Sequence, residues 1–240
     1  MKRVIDPAGT DAVILCGGKG ERLKSVVGDV PKPMADINGR PFLDILMDYL
    51  SNFGFRRIIL CSGYKGEEIK RYYGKKSRSL DILCSHEEEP LGTAGAIKNA
   101  QALIKSNPFL VMNGDSFCPA DLREFMKFYD RKGADFAMVL AAEAGGGDSG
   151  AVELDGSQRI TIFIEKATRN KSGLANAGIY LLGKKVLDLI ETGRKISLEY
   201  DIFPKILDKK FYGYATKERF IDIGTPERYS KAKESLKNGR

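Results

Sequence analysis

The residues that could do chemistry in this 240-residue chain stand just past the ends of apolar runs. The stretch Leu15-Cys-Gly-Gly-Lys-Gly-Glu-Arg-Leu23 follows one such run. Glycines there let backbone N–H groups approach phosphate oxygens with no Cβ between them, which makes Gly17, Gly18 and Gly20 candidate phosphate contacts. Arg22 ends the loop, where its planar fork can clamp phosphate oxygens; the alternative is a surface arginine at a helix start. Lys32 lies between Pro31 and Pro33, whose rings stiffen the backbone that aims the ammonium. Asp115 follows the apolar run Phe109–Met112, placed either to meet ligand phosphates or to cap the next helix. A second acid, Asp222, ends a short run and also precedes a helix.

Two familiar nucleotide loops do not fit. A P-loop needs G-x-x-x-x-G-K-[S/T], and here Gly20 precedes Glu21. A dinucleotide fingerprint needs G-x-G-x-x-G, and Leu23 stands where the third glycine belongs.

The elements that must position these residues alternate. Ala12–Cys16, Arg57–Ser62, Leu80–Ser85, Phe109–Met112 and Ala134–Ala141 read as buried strands. Helical spacing covers Phe42 to Phe53, where Gly54 stops the pattern, and then Glu67–Tyr73, Thr93–Lys105 and Ala120–Lys132. This order implies an α/β, Rossmann-like, mostly parallel sheet with helices on both faces. The pattern changes near residue 145. Gly150–Leu154 and Arg159–Ile164 flank Asp155-Gly-Ser157 as a tight antiparallel hairpin. A strand at Ala175–Leu182, helices near 184–192 and 198–209, strands at 211–216 and 219–223 and a helix from Pro226 complete the chain. The expectation is one domain over 1–240. Its nucleotide-binding part spans about 11–144, and its sugar-binding part, with a small hairpin and lid, about 145–240.

The net charge is +7, with 42% hydrophobic and 30% charged residues. The basic residues are scattered and not interleaved with aromatics, which argues against a nucleic-acid partner. Four cysteines, none in a C-x-x-C pair, and one histidine argue against a zinc site of the common type. Buried thiols, no apolar leader over Met1–Asp11 and no membrane-length run make the cytoplasm the expected compartment. No membrane partner is expected, and a homo-oligomer remains open.

Leu15-x-Gly-Gly-x-Gly-x-Arg-Leu23 followed by Pro31-Lys-Pro-Met34 resembles the sugar-1-phosphate nucleotidyltransferases, from about residue 11 to about 230. Within that family, Ser25–Met34 and the small size are most similar to the D-glycero-α-D-manno-heptose 1-phosphate guanylyltransferases. The resemblance implies attack of a sugar 1-phosphate on the α-phosphorus of an NTP, here GTP, with loss of pyrophosphate. It implies a product destined for a surface glycan. The nucleophile is already anionic, so cations, positioning and Mg²⁺ are needed rather than a catalytic histidine.

By that resemblance Arg22, Lys32 and Lys166 are catalytic. Leu15, Gly17, Gly18, Gly20, Glu87, Gly92, Thr93 and Asp115 bind nucleotide. Asn113, Gly114, Glu165, Asn176, Gly178 and Glu199 bind sugar, and Asp115 and Asp222 hold Mg²⁺. Glu87, mapped to the base contact, accepts only, which suits guanine's adjacent N–H donors; the single imide N–H of uracil or thymine is left open, as is a merely solvated acidic run. Tyr64 could close the base pocket or simply pack. Gly178 is expected to let the sugar approach closely. The chain departs from its relatives at Ala167, where many carry proline, in lacking an Arg-Tyr pair before Gly150, and at Tyr200, where heptose-type relatives often carry lysine. Mannose, glucose or N-acetylmuramic acid 1-phosphate remain alternative substrates, and a non-catalytic nucleotide-sugar sensor a rival class. No further domain is expected after residue 240.

Overall fold

The computed structural model of the chain describes residues 5–18, 20–74, 80–142, 151–165 and 173–237. In chain order the strands are β1 (Asp11–Leu15), β2 (Asp36–Ile37), β3 (Arg40–Pro41), β4 (Arg57–Ser62), β5 (Asp81–His86), β6 (Phe109–Asn113), β7 (Ser116–Phe117), β8 (Phe136–Ala142), β9 (Ala151–Leu154), β10 (Ile160–Ile164), β11 (Leu174–Leu182), β12 (Phe211–Thr216) and β13 (Ile221–Asp222). The α-helices are α1 (Lys24–Val27), α2 (Phe42–Phe53), α3 (Gly66–Gly74), α4 (Gly92–Asn99), α5 (Leu122–Lys132) and α6 (Pro226–Ser235). Lys19, Lys166, Ala167 and the glycine-rich stretch 143–150 lie outside the described residues.

Nine strands make one sheet in the order β10-β9-β11-β6-β1-β4-β5, with β8 and then β12 on the other edge of β11. β1 pairs in parallel with β4 and β6, as do β4 with β5 and β8 with β12. β11 is antiparallel to β6, β8 and β9, and β10 to β9. Only β10 and β11 therefore run against the rest, giving the mostly parallel sheet with an antiparallel hairpin. Successive residues of the central strands face opposite layers. Ile14, Leu60 and Met112 join a core with α2 and α5, while Val13, Ile59 and Val111 join another with α4. Burial on both faces is why these strands read as unbroken apolar runs.

Helix α2 has the expected bounds because its apolar stripe, Phe42, Leu46 and Leu50 among it, repeats at helical spacing, and Gly54 ends it by donating its N–H to Leu50 and Ser51. Helix α5 starts where the Asp121 carboxylate accepts from the N–H groups of Arg123 and Glu124.

Three local expectations are corrected. Helix α4 stops at Asn99 rather than Lys105. The chain continues in tighter turns, with Leu103 N donating to Ala100 O. Tertiary bonds direct it there: Arg57 donates to Leu103 O, and Asp11 takes the N–H groups of Lys105 and Ser106. No α-helix forms at 198–209; instead a π-turn over Leu198–Ile202 runs into a 3₁₀ turn over Phe203–Ile206. Pro204 has no N–H for Tyr200 O, which an α-helix would require. Likewise 184–189 is a 3₁₀ turn, with Leu187 O taken by Lys98 Nζ. The β9–β10 hairpin closes on a tight turn, as expected: Gln158 N donates to Asp155 O, and Asp155 N to Arg159 O. Asp155 Oδ1 accepts from Ser157 N, Ser157 Oγ and Arg159 N across it. No helix among the described residues is long and apolar enough to cross a membrane.

Candidate active site

The carboxyl ends of the parallel strands are tied to one another: Cys16 N donates to Cys61 O, and Gly114 N to Leu15 O. Beyond these ends opens a cavity of about 280 Å³. In open α/β sheets, ligands bind in such crevices. The glycine loop contributes Leu15, Gly17 and Gly18 to its lining; Lys32, Glu87, Gly92, Thr93, Asn113 and Asp115 line it from elsewhere in the chain. Arg22 is exposed and does not line it. Leu23 is fully buried, so the residue that breaks the dinucleotide pattern anchors the loop in the core.

Lys195 also lines the cavity, and sequence reasoning missed it. Nothing local marks it. Its loop is brought over α4 because Ile196 O accepts from Ala94 N and Gly95 N, donors at the first turn of that helix.

The two motif segments meet directly. A Cβ at Gly20 would lie 3.0 Å from Lys32 Cβ. Lys32, whose side chain is 13% exposed, places Nζ 2.6 Å from Asp115 Oδ2. Asp222 arrives by another route. β13 pairs antiparallel with β7, setting Asp222 opposite Ser116, and Ile223 N donates to Asp115 O. Asp222 Oδ1 accepts from Gly224 N, and Oδ2 lies 3.3 Å from Arg228. The two expected acids are thus joined through one small ladder, each with its own cation.

Glu87 is 8% exposed. Its Oε1 fills the space beside two glycines: a Cβ on Gly17 would lie 2.3 Å from it, and one on Gly63 2.7 Å. Any side chain at either glycine would evict the carboxylate. Desolvation raises the Glu87 carboxyl above the ordinary glutamate range, opposed by the Leu91 N–H and by His86. Tyr64, expected to close the pocket or to pack, donates to Asp29 Oδ1, tying the turn after β4 to the segment before Pro31.

On the sugar side several expected contacts are engaged internally. Glu199 Oε2 accepts from Thr93 Oγ1 and Ser197 Oγ, each at 2.7 Å. Thr93 also accepts from Leu198 N, so it braces the 197–199 turn as well as lining the cavity. The Asn176 amide donates to Tyr180 OH and accepts from Gly178 N. It therefore holds the bend of β11. Gly178, expected to let a sugar approach closely, faces Asn113 and Ser116: a Cβ there would lie 2.8 Å from Asn113 Nδ2 and 3.0 Å from Ser116 Oγ. Gly114 packs on Leu15 O, and Glu165 is half-buried just past β10.

Comparison with known proteins gives a consistent picture. Residues 11–239 match the nucleotidyl transferase family. The chain is 37% identical over 229 residues to a D-glycero-α-D-manno-heptose 1-phosphate guanylyltransferase from Aneurinibacillus thermoaerophilus, covering 95% of this chain and 99% of that protein. It is 35% identical to a mannose-1-phosphate guanylyltransferase from Mycobacterium tuberculosis, covering 95% of this chain and 65% of that one. Among solved structures, HddC from Yersinia pseudotuberculosis complexed with GMP-PN superposes with a TM-score of 0.82 at 39% identity, over 95% of this chain and 99% of that one.

Proposed function

The chain belongs to the nucleotidyl transferase family, and on that premise we propose that it transfers a guanylyl group from GTP to D-glycero-α-D-manno-heptose 1-phosphate, forming GDP-heptose for a surface glycan. The observation that carries the guanine assignment is Glu87, a buried acceptor clasped between Gly17 and Gly63 in the cavity wall. As a carboxylate it takes guanine's N1–H and N2–H₂ together, whereas adenine sets an acceptor between its donors. The similarity to heptose 1-phosphate guanylyltransferases supports the sugar assignment.

In the reaction a sugar-phosphate oxygen attacks the α-phosphorus. The new P–O bond forms as the bond to the β-phosphate oxygen breaks, and pyrophosphate leaves. The attacking oxygen is already anionic, so the protein's task is to hold two polyanions in line and offset their charge. Glycine-loop N–H groups cradle the triphosphate and Lys32 neutralises it. Arg22 reaches it from the solvent side, and Lys166 takes the sugar phosphate. Glu199, with Oε2 held by Thr93 and Ser197, meets sugar hydroxyls.

Asp115 and Asp222 would hold Mg²⁺, which supplies further charge neutralisation when bound. The residues fit: two carboxylates joined by one ladder are an oxygen-only donor set. No cluster of three or more His, Cys, Asp or Glu among the described residues could hold a metal, so phosphate and water oxygens would complete the coordination.

The direct test measures pyrophosphate release with GTP, UTP, dTTP and ATP against heptose, mannose and glucose 1-phosphates. GTP with the heptose should give the highest kcat/KM. Preference for UTP or dTTP overturns the guanine assignment, and preference for mannose overturns the sugar. Tight nucleotide-sugar binding without pyrophosphate release under any pair would make the chain a sensor.

A further inference from the structure

The first turn of α4 and the segment 194–199 are stitched into one unit. Ile196 O accepts from Ala94 N and Gly95 N, and Ile196 N donates to Leu91 O. The approach leaves no room for side chains: a Cβ at Gly92 would lie 2.6 Å from Ile196 O, and one at Gly95 2.6 Å from Arg194 O. Gly92 and Thr93 line the cavity beyond the strand ends, so one side of this unit faces the proposed nucleotide site.

Thr93 connects that side to Glu199. Its Oγ1 accepts from Leu198 N and donates to Glu199 Oε2, both at 2.7 Å. Ser197 Oγ donates to the same carboxylate oxygen at 2.7 Å. Glu199 is therefore clamped by one oxygen only. Among the described residues its Oε1 takes no hydrogen bond and is not sealed from solvent. Both oxygens of a carboxylate accept, so Oε1 is left for a donor from outside the protein. Burial is the chief cause that raises the Tyr180 phenol, and the charges of Glu199, Glu165 and Asp115 add to it. Glu199 thus stands near β11, the strand of Asn176 and Gly178. The Thr93 hydroxyl has a single proton, and Glu199 takes it. What Thr93 offers a nucleotide is its backbone and methyl group, which Thr93→Val keeps.

We infer that Thr93 is a positioning residue for the sugar 1-phosphate: its hydroxyl holds Glu199 Oε2 so that Oε1 is presented to a sugar hydroxyl. This rests on the proposed guanylyl transfer, with Glu199 as the acid that meets the sugar. The experiment measures steady-state kinetics with GTP and heptose 1-phosphate for variants shown by thermal melting to be folded at the assay temperature. Thr93→Val should raise KM for the sugar phosphate about tenfold and leave KM for GTP near the wild-type value. Thr93→Ser keeps the hydroxyl and should restore the sugar-phosphate KM. Ser197→Ala removes the other donor to Oε2 and should also raise it, which keeps the inference testable if Thr93→Val fails to fold. Because Thr93 acts through Glu199, the Thr93→Val/Glu199→Ala double variant should be no worse than Glu199→Ala alone. Additive losses in the double variant overturn the inference, as does an equal rise in both KM values. So does a sugar-phosphate KM that Glu199→Ala raises and neither Thr93→Val nor Ser197→Ala moves. If Glu199→Ala leaves that KM unchanged, the inference falls while the enzyme reading stands. If wild type releases no pyrophosphate with any sugar 1-phosphate, the enzyme reading falls and the inference with it.

Discussion

Two hollows open at opposite ends of the same parallel strands, and the larger is not the one lined by the candidate site residues. The larger, about 710 Å³, lies where β1 and β4 begin and includes Asp11, Arg57, Lys105 and Ser106 in its lining. The smaller, about 280 Å³, lies where β1, β5 and β6 end. At the first, Asp11 Oδ1 takes Arg57 at 2.6 Å while Oδ2 takes the N–H groups of Lys105 and Ser106. Arg57 also donates to Leu103 O and pairs with Asp81. Asp11 and Arg57 are thus tied to protein partners. At the second, Asn113 Oδ1 has no partner and burial strains Glu87 toward its neutral form. Unused hydrogen-bonding capacity, rather than volume, separates a binding site from a structural junction.

The sharpest way to break this comparison is to remove one acid at each end. Asp115→Asn should lower kcat roughly 10²–10³-fold, as expected for loss of a charge that organises a transition state, with the melting temperature nearly unchanged. Near-normal turnover would remove Asp115 from the chemistry. Asp11→Asn should do the reverse. A buried acceptor of several donors is lost, costing about 1–3 kcal/mol in urea unfolding, with kcat/KM unaltered. A fall in kcat/KM at full stability would make the larger hollow functional.

The smallest effect concerns pH. Because burial raises the Glu87 carboxyl, its charged form is the disfavoured one in the folded protein. Its contribution to stability therefore falls as pH rises through the window from the ordinary glutamate value, 4.5, to its raised value, and is constant above it. Guanine needs the carboxylate, so KM for GTP should fall as pH rises across that window. Glu87→Gln should flatten both profiles and raise KM for GTP about tenfold. A pH-dependent KM that persists in the variant would assign the titration to another group.

How much was legible follows from the range of each interaction. The α2 bounds were readable because Phe42, Leu46 and Leu50 and the stop at Gly54 are local signals. The loop Leu15–Leu23 with Pro31–Pro33 pointed to phosphate for the same reason. Helix α4 was overcalled because bonds from Arg57 and to Asp11 redirect the chain after Asn99. Asn176 is expected by resemblance to bind sugar, yet both ends of its amide are engaged within β11. Lys195 carries no local signal, since its place depends on Ile196 O meeting the first turn of α4.

The sequence by itself determined the kind of chemistry: glycines, Lys32, two acids and almost no histidine suit the handling of phosphate. It also determined the buried strands and amphipathic helices, since periodic burial is written in neighbouring residues. Tertiary structure alone decided which groups meet. It set Asp222 on the ladder beside Asp115, wedged Glu87 between Gly17 and Gly63, and packed Ser116 and Asn113 against Gly178. Those outcomes depend on hydrogen bonds and close approaches between residues far apart in the chain, which no local pattern encodes.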